Sequence, residues 1–207
     1  MSPHRIKEIP RKHVLNTLAE AVKSHSLVIL KSPMVYGKTA AARELGEHLK
    51  REGYLICFET TPSNADDLRT LFCNPYQESG FAGSVRCKED GESDACRNMS
   101  DFLATFRENL GGRPVLFILD DYQSAQSPEV NGLIEIMARE SIPGFCILLL
   151  SRDRPILPIE DLLLSNNTAM FTPELLSLSE LVTETLCAGN GTDYQESVAA
   201  FWEPSER

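Results

Sequence analysis

The stretch 30-LKSPMVYGKTAA-41 decides how the rest of this 207-residue chain is read. It sets Gly37-Lys38-Thr39 between a short apolar run, 27-LVIL-30, and an Ala-rich segment of helical character that reaches about Glu52. Glycine, lysine and a hydroxyl residue in that order close the phosphate-loop pattern G-x-x-x-x-G-K-[ST]. Loop N–H groups that lead into a helix N-terminus attract phosphate oxygens, and the helix dipole adds to the attraction. Gly37 lets the backbone come close, Lys38 suits the outer phosphates, and the Thr39 hydroxyl suits a Mg²⁺ ion. The match has two gaps: Ser32 stands in the place of the first glycine, and Val35 where many such loops carry another. A bare GKT also describes a lysine that opens an ordinary surface helix. A buried strand before it and a helix after it are the context that favours phosphate.

Outward from that loop, apolar runs of strand length alternate with amphipathic segments. Val14, Leu15, Leu18, Ala19 and Val22 make a helical stripe over 11–23. Strands are predicted at 27–30, 54–59, 115-VLFILDDY-122, 145–150 and, weakly, 168–172. Helices are predicted through Glu52 with Gly53 as the stop, around 68–73, over 99–110 ahead of Gly111-Gly112, and over 128–140 behind Pro128. The segment 153-DRPILPIEDLLL-164 reads as proline-broken, and two short helical patterns close the chain at about 178–188 and 193–202. Residues 74–98 hold glycines and acids without apolar periodicity and read as a flexible insertion. Continuous apolar strands between helices predict an α/β fold, a parallel β-sheet with helices on both faces. The predicted division is a first domain over 1–176 and the truncated start of a helical domain over 177–207.

Ligands of such sheets bind at the carboxyl ends of the strands. Three polar clusters fall there: SPMVYGKT after the first strand, Asp120-Asp121 after 115–119, and Ser151-Arg152 after 145–150. An apolar strand that ends in an acid is the pattern whose carboxylate holds Mg²⁺, which gives Asp120 that role. Asp121 is then placed to act on, or to orient, an attacking water. Arg152 could serve as a cation toward a terminal phosphate. Taken singly, each cluster has a plainer reading: solvated acids at a turn, or an arginine in a surface ion pair. Their coincidence on one sheet edge favours a shared site.

Composition narrows the partners. A net charge of -10 disfavours a broad nucleic-acid surface, which needs clustered Lys and Arg. No apolar run is long enough to span a membrane, and the basic N-terminus is not followed by the apolar core of a secretory signal. The six cysteines include no C-x-x-C pair and no nearby His, so spacing points to reduced thiols rather than zinc, and to a cytoplasmic protein.

The motifs SPMVYGKTAAA (32–42), RPVLFILDDYQ (113–123), PEV (128–130) and LLLSRDRPILPIEDL (148–162), with Arg11, Lys12, Leu15 and Leu18, make up a series. It resembles the nucleotide-binding module of the signal-transduction ATPases with numerous domains (STAND), a branch of the P-loop NTPases related to AAA proteins. It is most similar to the MalT-like, large LuxR-type transcriptional regulators, over about residues 5–182. The D-D-Y and S-R-x-x-P-x-L-P pieces are the specific part. The resemblance implies a switch in which an ADP-bound resting form gives way to a self-associating ATP-bound form, and DNA is contacted by a C-terminal helix-turn-helix absent from this sequence. It implies Walker A contacts from Lys38 and Thr39 within a cofactor-binding loop of Ser32, Pro33, Met34, Val35, Tyr36, Gly37 and Ala40. It also implies Walker B acids at Asp120 and Asp121, with Thr39 and Asp120 as the metal-holding pair, a phosphate sensor at Arg152, and base contacts from Pro10 and Arg11. Ser32 is small enough for the turn, whereas Val35 would be strained by about 1–3 kcal/mol if its φ were positive. Two other readings stay open: a P-loop small-molecule kinase, and a degenerate P-loop that serves only as an interaction scaffold.

Overall fold

Strands that are apolar on both sides must be covered on both sides, and the chain meets that demand with a three-layer arrangement. The computed structural model describes residues 12–34, 36–73 and 99–176. Five strands, β1 (Leu27–Lys31), β2 (Leu55–Thr60), β3 (Val115–Asp120), β4 (Phe145–Ser151) and β5 (Thr168–Phe171), form one sheet in the order β2-β3-β4-β1-β5. Every pairing is parallel. The helices are α1 (Lys12–Ser24), α2 (Lys38–Arg51), α3 (Ala65–Cys73), α4 (Met99–Leu110), α5 (Pro128–Arg139), α6 (Ile159–Leu164) and the single turn α7 (Pro173–Leu176).

Alternation along the strands sorts the core into two halves. Val28, Leu30, Leu116, Ile118, Cys146, Leu148 and Leu150 face α1 and α2. Leu27, Ile29, Val115, Phe117, Leu119, Phe145, Ile147 and Leu149 face α3, α4, α5 and α6. The second half is built around rings: Phe72 meets Phe117 edge-on at 4.9 Å, and Phe106 meets Phe145 at 5.0 Å. The handedness of parallel crossovers explains the division. From β1 the chain travels one way along the sheet to β2, by way of α2. From β2 to β3, β3 to β4 and β4 to β5 it travels the other way, so α3 to α6 must lie on the opposite face.

Local chemistry fixes the helix ends. Gly53 stands just past the C-cap Glu52 of α2 at φ 93°, with its N–H bonded to Lys50 O and that of Tyr54 to Leu49 O, the Schellman arrangement that the Gly53 stop predicts. Ser127 caps α5 by accepting from Val130 N at 3.2 Å, with Pro128 in the first turn.

Apart from one-residue shifts and the added turn α7, three elements differ from the sequence expectation. β3 stops at Asp120 rather than Tyr122, because Asp121 takes a left-handed conformation (φ 52°) and Tyr122–Ser124 coil into a 3-10 turn. That turn buries Tyr122 completely and lets its hydroxyl donate to Asn131 Oδ1 at 2.6 Å. The proline-broken segment contains α6, which starts after Pro158 and carries Ile159 and Leu162 into the core. α3 begins at Ala65, three residues before Leu68, where Asn64 Oδ1 accepts from Asp67 N. The 74–98 insertion, the closing helical patterns and the 177–207 extension lie outside the described residues. Among the described residues, no helix is long and apolar enough to cross a membrane.

Phe72 is fully buried and touches three other rings. Phe72→Ala should therefore cost about 3–5 kcal/mol. Urea unfolding checks it: the midpoint falls while the slope stays that of the parent, and a loss under about 1 kcal/mol contradicts this core assignment.

Candidate functional site

The crossover pattern creates a crevice. β1 and β4 are neighbours, paired Leu30 to Leu150 and Lys31 to Ser151. The chain leaves β1 toward the α2 face and leaves β4 toward the α6 face, so their carboxyl ends open between diverging connections. The loop after β1 lies on one side of that opening and Ser151-Arg152 on the other. β3, with Asp120-Asp121, flanks β4. The three sequence clusters are thus brought to one sheet edge.

In the loop, Ser32 is completely buried and its N–H donates to Ser151 O at 3.1 Å, continuing the strand pairing by one residue. The Ser32 and Ser151 hydroxyls are buried and make no hydrogen bond to another protein group. Pro33 is exposed and Met34 is 62% exposed, while Tyr36 packs against the core between α1 and α2. Gly37 adopts φ 73°, a left-handed turn that suits glycine, and its carbonyl accepts from Ala41 N at 2.9 Å to start α2. Ala40 is exposed in the first turn. Val35, Pro10 and Arg11 lie outside the described residues.

Lys38 Nζ donates to Ser32 O and, at 2.9 Å, to Pro33 O, so the ammonium folds back under its own loop. Burial there lowers the Lys38 pKa from its usual value, Asp120 and Asp121 oppose the shift, and Arg152 adds to it. The Lys38 ammonium therefore senses all three of those charges.

Thr39 and Asp120 form the hinge of the site. Thr39 Oγ1 donates to Asp120 Oδ2 at 2.9 Å, which joins the first turn of α2 to the end of β3. The other oxygen, Oδ1, accepts from Asp121 N at 2.9 Å. The backbone of Asp120 is fixed as well: its carbonyl accepts from Thr61 N at 2.9 Å and from Thr61 Oγ1 at 2.7 Å. Two hard oxygen donors thus stand side by side. Mg²⁺ characteristically takes one or two protein oxygens and leaves the rest of its shell to phosphate and water, and this pair fits it. Among the described residues no cluster of three His, Cys, Asp or Glu could cage a metal unaided.

Beyond Asp120, a third strand end joins in. Arg152 Nη2 lies 3.2 Å from Asp121 Oδ1. Gln123, which the sequence reading passed over, ties these two together: its Nε2 donates to Asp121 Oδ1 at 3.0 Å and its Oε1 accepts from Arg152 N at 2.9 Å. Thr61 was also missed. Its position one residue past the end of β2 was the available signal, as was that of Gln123 in the turn after β3. The loop after Arg152 is held from outside the site. Gln126 Oε1 accepts from Ile156 N, Asn131 Nδ2 donates to Ile156 O, and Arg154 pairs with Glu160.

Comparison with protein-family models and with curated proteins finds no match. Solved structures do match. The Walker-type ATPase PABY2304 of Pyrococcus abyssi superposes with a TM-score of 0.53 at 14% identity, over 94% of this chain and 64% of that one. The ORC1 protein of Aeropyrum pernix, in complex with DNA, gives 0.51 at 14% identity, over 91% of this chain and 51% of that one. A Drosophila ORC chain, bound to DNA, gives 0.50 at 14% identity, over 83% and 93%. This chain therefore spans under two-thirds of the length of the two archaeal chains it resembles. Identity this low carries the fold and nothing finer. With its parallel five-stranded sheet covered by helices, the chain has the α/β fold of the P-loop NTPases.

Proposed function

We propose that this domain binds ATP or ADP with Mg²⁺ and works as a nucleotide-driven switch, hydrolysing slowly if at all. The observation that carries the reading is the 2.9 Å Thr39–Asp120 hydrogen bond, made between residues 81 positions apart. A lysine at the head of a surface helix has no reason to sit beside a threonine clasped to a buried strand's terminal acid. In this reading the loop N–H groups and Lys38 hold the phosphates, Thr39 and Asp120 hold the metal, Asp121 orients or activates a water, and Arg152 meets the terminal phosphate. Mg²⁺, when bound, would offset phosphate charge.

The finer reading is a switch module of a MalT-like, LuxR-type transcriptional regulator that self-associates with ATP. The D-D-Y and S-R-x-x-P-x-L-P motifs support it. In this reading a separate C-terminal domain contacts DNA; the net charge of -10 does not suit the domain itself for that task. A small-molecule kinase needs cations free to close over a phosphate. Of the two arginines in 152-RDRP-155, Arg152 alone reaches the strand-end acids, while Arg154 pairs with Glu160; one arginine is not a lid, which favours the switch.

Labelled ADP and ATP titrated with and without Mg²⁺ test the reading. Lys38→Ala should weaken nucleotide binding about 10- to 150-fold, the worth of a charged hydrogen bond. Unchanged affinity would overturn the phosphate-loop assignment, whereas a parent that binds neither nucleotide would favour the scaffold reading. Asp120→Asn should fold normally and lose the gain in ATP affinity that Mg²⁺ gives the parent; an equal gain in both proteins rules out Asp120 as the metal residue.

The lowered Lys38 pKa sets a pH dependence. Phosphate favours the ammonium form, so binding draws the pKa back up, and nucleotide should bring a proton with it at alkaline pH. Affinity should then decline as pH rises through a window that opens below the ordinary lysine value of 10.5. Calorimetry in buffers of different ionisation enthalpy reads the proton directly. Uptake that persists in Lys38→Ala assigns it to another group.

A further inference from the structure

Arg152 and Asp121 face each other, but an ion pair cannot by itself account for their placement. The Arg152 side chain is 43% exposed and that of Asp121 48%. Pairs this open are worth about 0–1 kcal/mol and are screened by salt. A neutral residue does the holding. Gln123, half-buried on the 3-10 turn after β3, bonds with one end of its amide to the Asp121 carboxylate and with the other to the backbone N–H of Arg152. The amide can face only one way. Reversed, its NH₂ would meet the Arg152 N–H, donor against donor, and its oxygen would meet the carboxylate, acceptor against acceptor. Both bonds therefore form together only when the ends of β3 and β4 keep this separation.

The division of labour among the three residues matters. Gln123 grips the main chain of Arg152 and leaves the guanidinium to Asp121 alone. The arginine's root is thus fixed while its head, about half in solvent, can turn. Asp121 Oδ1 accepts from both Gln123 and Arg152. If the guanidinium leaves, the carboxylate keeps one donor and keeps its aim. Without the glutamine, that oxygen would keep only Arg152, and the guanidinium would have more reason to stay.

We propose that Gln123 is a positioning residue that lets Arg152 exchange between Asp121 and the terminal phosphate of a bound triphosphate. It thereby sets how strongly the site prefers ATP over ADP. The proposal rests on the nucleotide reading given above. Gln123 touches no phosphate in it and acts through Arg152 and Asp121.

The test compares dissociation constants for ADP and for a non-hydrolysable ATP analogue, both with Mg²⁺, in the parent, Gln123→Met, Arg152→Ala and the double variant. Methionine keeps length and loses the amide; Gln123→Ala is the second choice if the methionine variant does not fold as judged by circular dichroism. Arg152→Ala should lower the triphosphate preference about tenfold or more, and Gln123→Met about three- to tenfold, with ADP affinity within about twofold of the parent. The double variant should resemble Arg152→Ala alone, because Gln123 works through that arginine. A merely structural role would weaken ADP and the analogue together. A parent-like preference in Gln123→Met, or additive losses in the double variant, overturns the proposal while the nucleotide reading stands. A parent that binds neither nucleotide overturns both.

Discussion

Everything at this site depends on the single hand that parallel crossovers allow. Because β1 lies between β4 and β5 rather than at an edge, its connection to β2 must run the opposite way along the sheet from all the later ones. α2 is thereby sent to one face and α3 to α6 to the other. The crevice between β1 and β4 is a consequence of that reversal, and it would exist with different side chains. What the sequence adds is chemistry at the rim: a glycine that turns left-handed into α2, and an acid where β3 stops.

The rim is held stiffly where stiffness serves electrostatics. Asp120 has both carboxylate oxygens engaged, one by its neighbour's N–H and one by Thr39, while Thr61 grips its carbonyl twice. A carboxylate held at both oxygens, on a backbone that is itself pinned, does not need to reorganise when charge arrives, which is where preorganised sites draw their strength. Asp121 differs. It has stepped out of the strand into a left-handed turn, is half in solvent, and its carboxylate is held by the side chains of Gln123 and Arg152. Two consecutive acids thus have unlike mechanical surroundings.

Much of this was legible in the sequence, and the unread parts share a cause. Strands and long helices announced themselves because burial on two faces, or on one stripe, imposes a period. The Gly53 stop and the Pro128 start were readable because each rests on a backbone property of one residue. The end of β3 was misplaced because apolar Tyr122 looks like strand. Its burial comes instead from a tight turn, with the hydroxyl reaching Asn131 nine residues on. α6 was hidden by prolines at 155 and 158, which precede the helix rather than interrupt it. Gln123 and Thr61 carry no periodicity and no motif weight. Their significance exists only once strands distant in sequence are set side by side, and single-sequence patterns do not encode that adjacency.

The Lys38 ammonium, bonded to the carbonyls of Ser32 and Pro33, has a consequence for how affinity can be tuned. If phosphate binds here as proposed, those carbonyls compete with it for the same cation, at a fixed effective concentration. Observed affinity is then a difference between two sets of partners. A substitution that merely stiffens or loosens the turn through residues 32–37 shifts that difference without touching the ligand. Affinity could thus be weakened or strengthened through loop conformation alone, and Ser32 in the place of a loop glycine is a difference of this kind.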